Sequence, residues 1–346
     1  MSDRESEPGE TAGKLCEKFD AIYFDLDGVL YRGVNAVDGA AEAVNEVILG
    51  GCGVAYVTNN ASRTPDEVAF HLVELGIPAN ASEVVTSSQV AVEILQSHVS
   101  LGERVFVVGG VGVEQALSAA GYAPSRDAKN CVAVVQGFGP EVSWRDLAQA
   151  CYLIQGGAIW IATNLDSTFP TASGIAPGNG SFVDAVRNAV GRDPDGVGGK
   201  PDRAMLRRTF EVTPGDRPLL VGDRYDTDIA AGIAAEIPTM LVLSGVSDIA
   251  DVWRSSLRAD YLCESVQGLV LDYPEIDTSG TTHQCGQASA TYDALKLRIL
   301  ASGGTRIDRL RAADSLKWSL LSEVGLSSFT HGRIALDLGA QSSVGA

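Results

Sequence analysis

Short apolar runs recur along the chain, each ending in polar residues or glycine. Ala21-Ile22-Tyr23-Phe24, Val54-Ala55-Tyr56-Val57, Arg104 to Val108, Cys131 to Val135, Ile159-Trp160-Ile161-Ala162, Pro218 to Val221 and Thr239 to Leu243 read as buried strands. Segments with helical spacing lie between them: Ala40 to Leu49, Val113 to Ala120, Ser143 to Ile154, Asn179 to Val190, Arg203 to Phe210 and Thr227 to Ala235. Thr64-Pro65 with Glu67 opens another, with threonine at the cap and proline in the first turn, and Gly76 ends it after Leu75. Strands alternating with helices predict an α/β protein whose parallel sheets carry helices on their faces.

The polar residues at the ends of these elements add a location. Asp25, Thr58 and Asp223 follow strands, and Lys200 precedes a helix. In an open parallel sheet ligands bind beyond the carboxyl ends of the strands, so three of the four fall on one edge by topology alone. Residues 92–194 interrupt that arrangement with a strand–helix pattern of their own, long enough for an inserted domain. The expected organisation is a polar, unstructured tail over 1–16, a core split between 17–91 and 195–273, an insert over 92–194, and a linker with a small appendage over 274–346. The appendage is expected to be mostly helical, from Leu295, Leu297, Ile299 and Leu300 and then from Leu310, Leu316, Trp318 and Leu320. A packing or dimerisation element is the expectation for it, so a homodimer is compatible with the chain.

Charge and composition narrow the partners. The 346 residues carry a formal net charge of −18, which argues against a nucleic-acid or anionic-membrane surface. A phosphate substrate is still compatible, because a metal ion and a local cation can reverse the field inside a cleft. The six cysteines show no C-x-x-C spacing and read as thiols of a reducing compartment. Residues 1–11 lack the basic and apolar regions of a signal peptide, and no apolar run approaches the ~20 residues of a membrane span, so a cytoplasmic protein is expected. The four histidines lack metal spacing.

Asp25 and Asp27, two apart at a strand end, point to the same side, with Gly28 allowing the chain to turn away. Such a pair can bind a divalent metal, act as nucleophile plus acid/base, or merely form a solvated turn. Three further motifs follow in order: Val57-Thr58-Asn59-Asn60, Gly199-Lys200-Pro201, and Val221-Gly222-Asp223-Arg224-Tyr225-Asp226-Thr227-Asp228. With Phe24-Asp25-Leu26-Asp27-Gly28-Val29-Leu30, they make the chain resemble the haloacid dehalogenase superfamily, specifically its phosphatases with a large cap inserted between the second and third motifs. The resemblance covers about Phe19 to Tyr273 and implies a Rossmann-like, doubly wound parallel sheet core with an inserted α/β cap domain.

That resemblance implies a phosphatase that requires Mg2+. Asp25 would be the nucleophile, passing through an aspartyl phosphate, and Asp27 the acid/base. Asp25, the Asp27 carbonyl and Asp223 would hold the magnesium, with Asp228 supporting them through water or simply favouring a helix start. Thr58 and the loop of Asn59 and Asn60 would receive the phosphoryl oxygens, with Lys200 as a point charge; the Asn59 side chain could equally hold the turn. In the cap, Asn164 and Asp166 could bond substrate hydroxyls or shape their loop. Small polar groups rather than an aromatic clamp favour glycerol 3-phosphate or phosphoglycolate over pyridoxal phosphate or a nucleotide. A phosphotransferase and a non-enzymatic phosphate sensor are the remaining alternatives. Two apparent fingerprints are set aside. Gly110-Val111-Gly112 lacks the third glycine of a dinucleotide motif, and Pro201 stands where a P-loop needs Ser or Thr.

Overall fold

The computed structural model describes residues 13–171, 173–279, 281–293, 298–324 and 335–339. Its central sheet is parallel, in the order Tyr261–Cys263, Thr239–Val242, Pro218–Gly222, Ala21–Phe24, Gly53–Thr58, Val84–Thr86. Ala21–Phe24 lies between strands reached by opposite crossovers, which opens a crevice at its carboxyl end. Its side chains alternate between two cores: Ile22 and Phe24 join one, Ala21 and Tyr23 the other. Burial on both faces explains why the run is continuously apolar instead of alternating. The Thr64 capping box at Pro65–Glu74 forms as its sequence predicts.

The insert builds a second parallel sheet, ordered Gly196–Val197, Ile159–Ala162, Ala133–Gln136, Arg104–Val108, Ala123–Ser125, with a hairpin of Thr168–Thr171 and Gly174–Pro177 beside it. Its limits differ from 92–194 at both ends. The helix Ser87–Gln96 places Val90 in the core of the first sheet and Ala91, Val92 and Leu95 in that of the second, so no boundary can be drawn at 91/92. At the other end Gly196–Val197 is the edge strand of the second sheet. The glycines of the false dinucleotide motif have a packing reason. A Cβ at Gly112 would overlap the carbonyls of Ala61 and Arg63, so this insert helix rests directly on the loop that follows Thr58.

The C-terminal region corrects the expectation of a mostly helical appendage. Ile276–Ser279, Thr282–Cys285, Ala288–Asp293 and Arg298–Ser302 form an antiparallel meander, with Ala335–Asp337 added parallel to the last. One helix, Arg306–Val324, packs on it. Leu295, Leu297 and Ile299 are spaced by two, the period of a strand, so the helical reading took the wrong period. Ile299 is buried under the helix; Leu295 and Leu297 lie outside the described residues. At the other terminus, most of the tail expected over 1–16 lies outside the described residues. Its last part does not fit the expectation: Leu15 is fully buried in the first core, and the Lys14 backbone forms an antiparallel β-bridge with that of Asp272. No helix among the described residues is long and apolar enough to cross a membrane.

Candidate active site

Strand ends bring the first, second and fourth motifs to one crevice, and the turn at Lys200 enters from the side. Lys200 is only 2% exposed. Its Nζ donates to Asp25 Oδ1 at 2.5 Å and to the Val57 carbonyl at 3.3 Å, and stands 2.7 Å from Asp228 Oδ1. Carboxylate oxygens of Asp25, Asp223 and Asp228 lie within 4.8 Å of one another, all three residues buried. One ammonium therefore faces three carboxylates. Burial pushes the Asp25 carboxyl well above its ordinary range; Lys200 opposes this, and Asp228 and Asp223 add to it. Burial and then the Asp228 charge push Asp223 up to about 7. Hard oxygen donors with uncompensated negative charge fit a divalent cation such as magnesium.

The Asp223 loop depends on glycine and on a neighbouring turn. Asp228 Oδ2 accepts from the backbone N–H groups of Asp223 and Arg224 at 3.2 and 3.1 Å. Asp228 thus faces Lys200 with one oxygen and ties the motif loop with the other. The Val246 N–H donates to Asp223 Oδ2 at 2.6 Å. A Cβ at Gly245 or at Gly28 (φ +87°) would overlap the Asp223 carboxylate, so both positions require glycine for close approach. The Ser244–Val246 turn was not singled out in the sequence. The available signal was its place after the strand Thr239–Val242, on the same sheet edge as Asp25 and Asp223.

Asp27 stands apart from the three convergent carboxylates. It is exposed at the mouth of the crevice, yet the atoms packed around it raise its carboxyl, with Arg63, His71 and Lys200 opposing the rise. Sequence reasoning missed Arg63, which follows the second motif by a few residues. Thr58 is buried, and its Oγ1 accepts from the Asn60 N–H at 3.0 Å, which leaves its O–H to donate.

Asn59 is the junction of the site. Its Oδ1 accepts from the Lys200 N–H at 2.8 Å, and its Nδ2 lies 3.0 Å from the Lys200 carbonyl and 3.1 Å from Asp166 Oδ1. Its carbonyl accepts from Asn164 Nδ2 at 2.7 Å and Ser87 Oγ at 2.6 Å. The side chains of Asn59 and Asn164 are thus committed to holding the Lys200 turn and the insert loop. Asn60 is likewise committed, its Oδ1 accepting from the Ser62 N–H and hydroxyl. Asp166 differs: half-buried, it keeps unused accepting capacity, and Arg224, Lys200 and Asp228 all influence its raised carboxyl after burial itself.

Comparison with known proteins finds relatives over most of the chain. Residues 22–123 match the model of haloacid dehalogenase-like hydrolases, and residues 197–269 match a second, HAD-hydrolase-like model. A D-glycerol 3-phosphate phosphatase of Mycobacterium tuberculosis is 42% identical over 240 residues, spanning 68% of this chain and 66% of that protein. An acid sugar phosphatase of Staphylococcus aureus is 34% identical over 247 residues, 71% of this chain and 94% of that protein. Crystal structures of a glycerol phosphate phosphatase from M. tuberculosis, in complex with calcium and with magnesium, superpose with a TM-score of 0.78 at 33% identity; they cover 95% of this chain and 95% and 96% of theirs.

Proposed function

Because the chain belongs to the haloacid dehalogenase-like hydrolases and is a phosphatase, we propose that it hydrolyses glycerol 3-phosphate through a phosphorylated Asp25, with magnesium as its metal. The carrying observation is Lys200 Nζ, held 2.5 Å from Asp25 and 2.7 Å from Asp228 beside a third buried carboxylate. Asp25, Asp223 and the Asp27 carbonyl would hold the magnesium, with Asp228 behind them; bound there it offsets charge on the carboxylates and on the phosphoryl oxygens.

Asp25 attacks phosphorus in line, forming an O–P bond as the bond to the alkoxide breaks. Asp27 gives its proton to that alkoxide, a role that its raised carboxyl suits. In the second step water attacks the phosphoryl group, Asp27 takes the proton, and inorganic phosphate leaves with Asp25 restored. Lys200 and the Thr58 hydroxyl stabilise the phosphoryl oxygens throughout.

The substrate reading rests on the 42% identical relative and on Asp166. A carboxylate on the insert accepts hydrogen bonds from an uncharged polyol but repels a second anionic group such as the carboxylate of phosphoglycolate. Six free thiols support a reducing, cytoplasmic setting. The test is kcat/KM with magnesium over glycerol 3-phosphate, phosphoglycolate, pyridoxal phosphate and nucleoside monophosphates, alongside Asp25→Asn. Glycerol 3-phosphate should lead and Asp25→Asn should be inert; a flat profile refutes the substrate, and an active Asp25→Asn refutes the nucleophile.

A further inference from the structure

We propose that the C-terminal region keeps the metal-binding loop in register, and that Lys317 is the positioning residue that does so. The inference rests on the metal role of Asp223 proposed above. Asp223 is held by the turn after Ser244: the Val246 N–H reaches its Oδ2 at 2.6 Å and the Ser247 N–H its carbonyl at 3.1 Å. That turn runs straight into the helix Ile249–Arg254, whose N-terminus is closed by the Asp248–Asp251 capping box. Six residues are too few to hold a helix unaided.

Its far end is closed from the C-terminal region. Lys317, on the helix Arg306–Val324, is 1% exposed, and its Nζ donates to the carbonyls of Val252 and Ser255, each at 3.0 Å. These are the carbonyls that a helix C-terminus leaves without partners, and a cation is the favoured group there. The ammonium is also flanked by the rings of Trp318, at 4.8 Å to the centroid, and Trp253, at 5.7 Å. A buried ammonium is costly unless its bonds are made, so its position is set by these two carbonyls. A second contact reaches the same site independently. Leu310 and Ile307 pack with Val252, Leu241 and Ile229, and Ile229 adjoins Asp228. The region thus braces both segments that present Asp223 and Asp228.

Lys317→Met keeps the aliphatic stem and removes the ammonium. The experiment is calorimetric titration of Mg2+ into the full chain, with melting temperatures recorded, for wild type, Lys317→Met and Ile299→Ala. Ile299 lies in the core of the C-terminal sheet, on whose margin Trp253 packs, but it makes no bond to the carbonyls of Val252 and Ser255 that Lys317 closes. Lys317→Met should weaken magnesium binding about 3- to 10-fold, less than the 10- to 100-fold typical of losing a direct support of a ligand, with kcat at saturating magnesium unchanged. Ile299→Ala should lower the melting temperature without changing the affinity. Wild-type affinity in Lys317→Met, or an equal weakening in Ile299→Ala, overturns the inference. Should Lys317→Met not fold, Leu310→Val tests the second contact by the same titration, with the same expected direction. Absence of saturable magnesium binding in the wild type would instead overturn the metal reading itself.

Discussion

Lys200→Met removes the buried cation paired with Asp25 and Asp228 while keeping the buried stem. Both ion pairs are short, and the Lys200 side chain is 1% exposed, so solvent cannot replace the lost charge. Removing one partner of a buried pair costs about 3–5 kcal/mol, because the other is left uncompensated. In chelator the variant should lose stability of that order, measured as the urea midpoint at pH 7, and saturating magnesium should recover part of it. Lys200 also opposes the rise of the Asp25 carboxyl. Without it Asp25 holds its proton to higher pH, so the acid limb of the kcat profile should move upward. Loss of phosphoryl stabilisation should lower kcat by ~10²–10³-fold at the optimum. Stability unchanged in chelator, together with kcat within threefold of wild type, would refute the central place given to this ammonium.

Three further outcomes follow from the same geometry. In metal-free protein the Asp223 carboxyl is pushed up to about 7 from an unfolded value near 4, so the folded state holds a proton that the unfolded state releases. Stability should therefore fall as pH rises from about 4 to about 7, by up to ~4 kcal/mol, and magnesium should flatten the slope; denaturation at several pH values reads this, and a rise across that window contradicts it. Asp166→Asn should raise kcat/KM for phosphoglycolate relative to glycerol 3-phosphate by about 10- to 20-fold, since unit charges ~10 Å apart at an effective dielectric of ~20 interact by about 1.7 kcal/mol; an unchanged ratio removes Asp166 from specificity. Gly245→Ala must displace the Asp223 carboxylate, so magnesium affinity by calorimetry should drop at least ~10-fold, and unchanged binding would show that the turn does not set the ligand.

Much of the site could be read from local order. Asp25, Thr58 and Asp223 were legible because each ends a strand of one parallel sheet, and topology places such ends together. The role of Asn59 was not, because its partners Lys200, Asn164 and Asp166 lie more than 100 residues away in sequence. The turn at Gly245 was missed for a similar reason: only the packing against Asp223 shows why it must be glycine.

The chain by itself determined where the candidate side chains fall, since short apolar runs mark the strands and the polar residues after them mark the strand ends, while their roles came from the resemblance of the four motifs. Tertiary structure alone decided how their work is divided. It commits Asn59 and Asn164 to holding loops and leaves Asp166 with accepting capacity over the crevice. It also settles the C-terminal region, where Ile299 belongs to a strand, because burial beneath the helix Arg306–Val324 favours the two-residue period over the helical one. Lys317 is the clearest instance. In sequence it is one charged residue among several in a helical segment, and only the fold brings the carbonyls of Val252 and Ser255 within 3.0 Å of its ammonium.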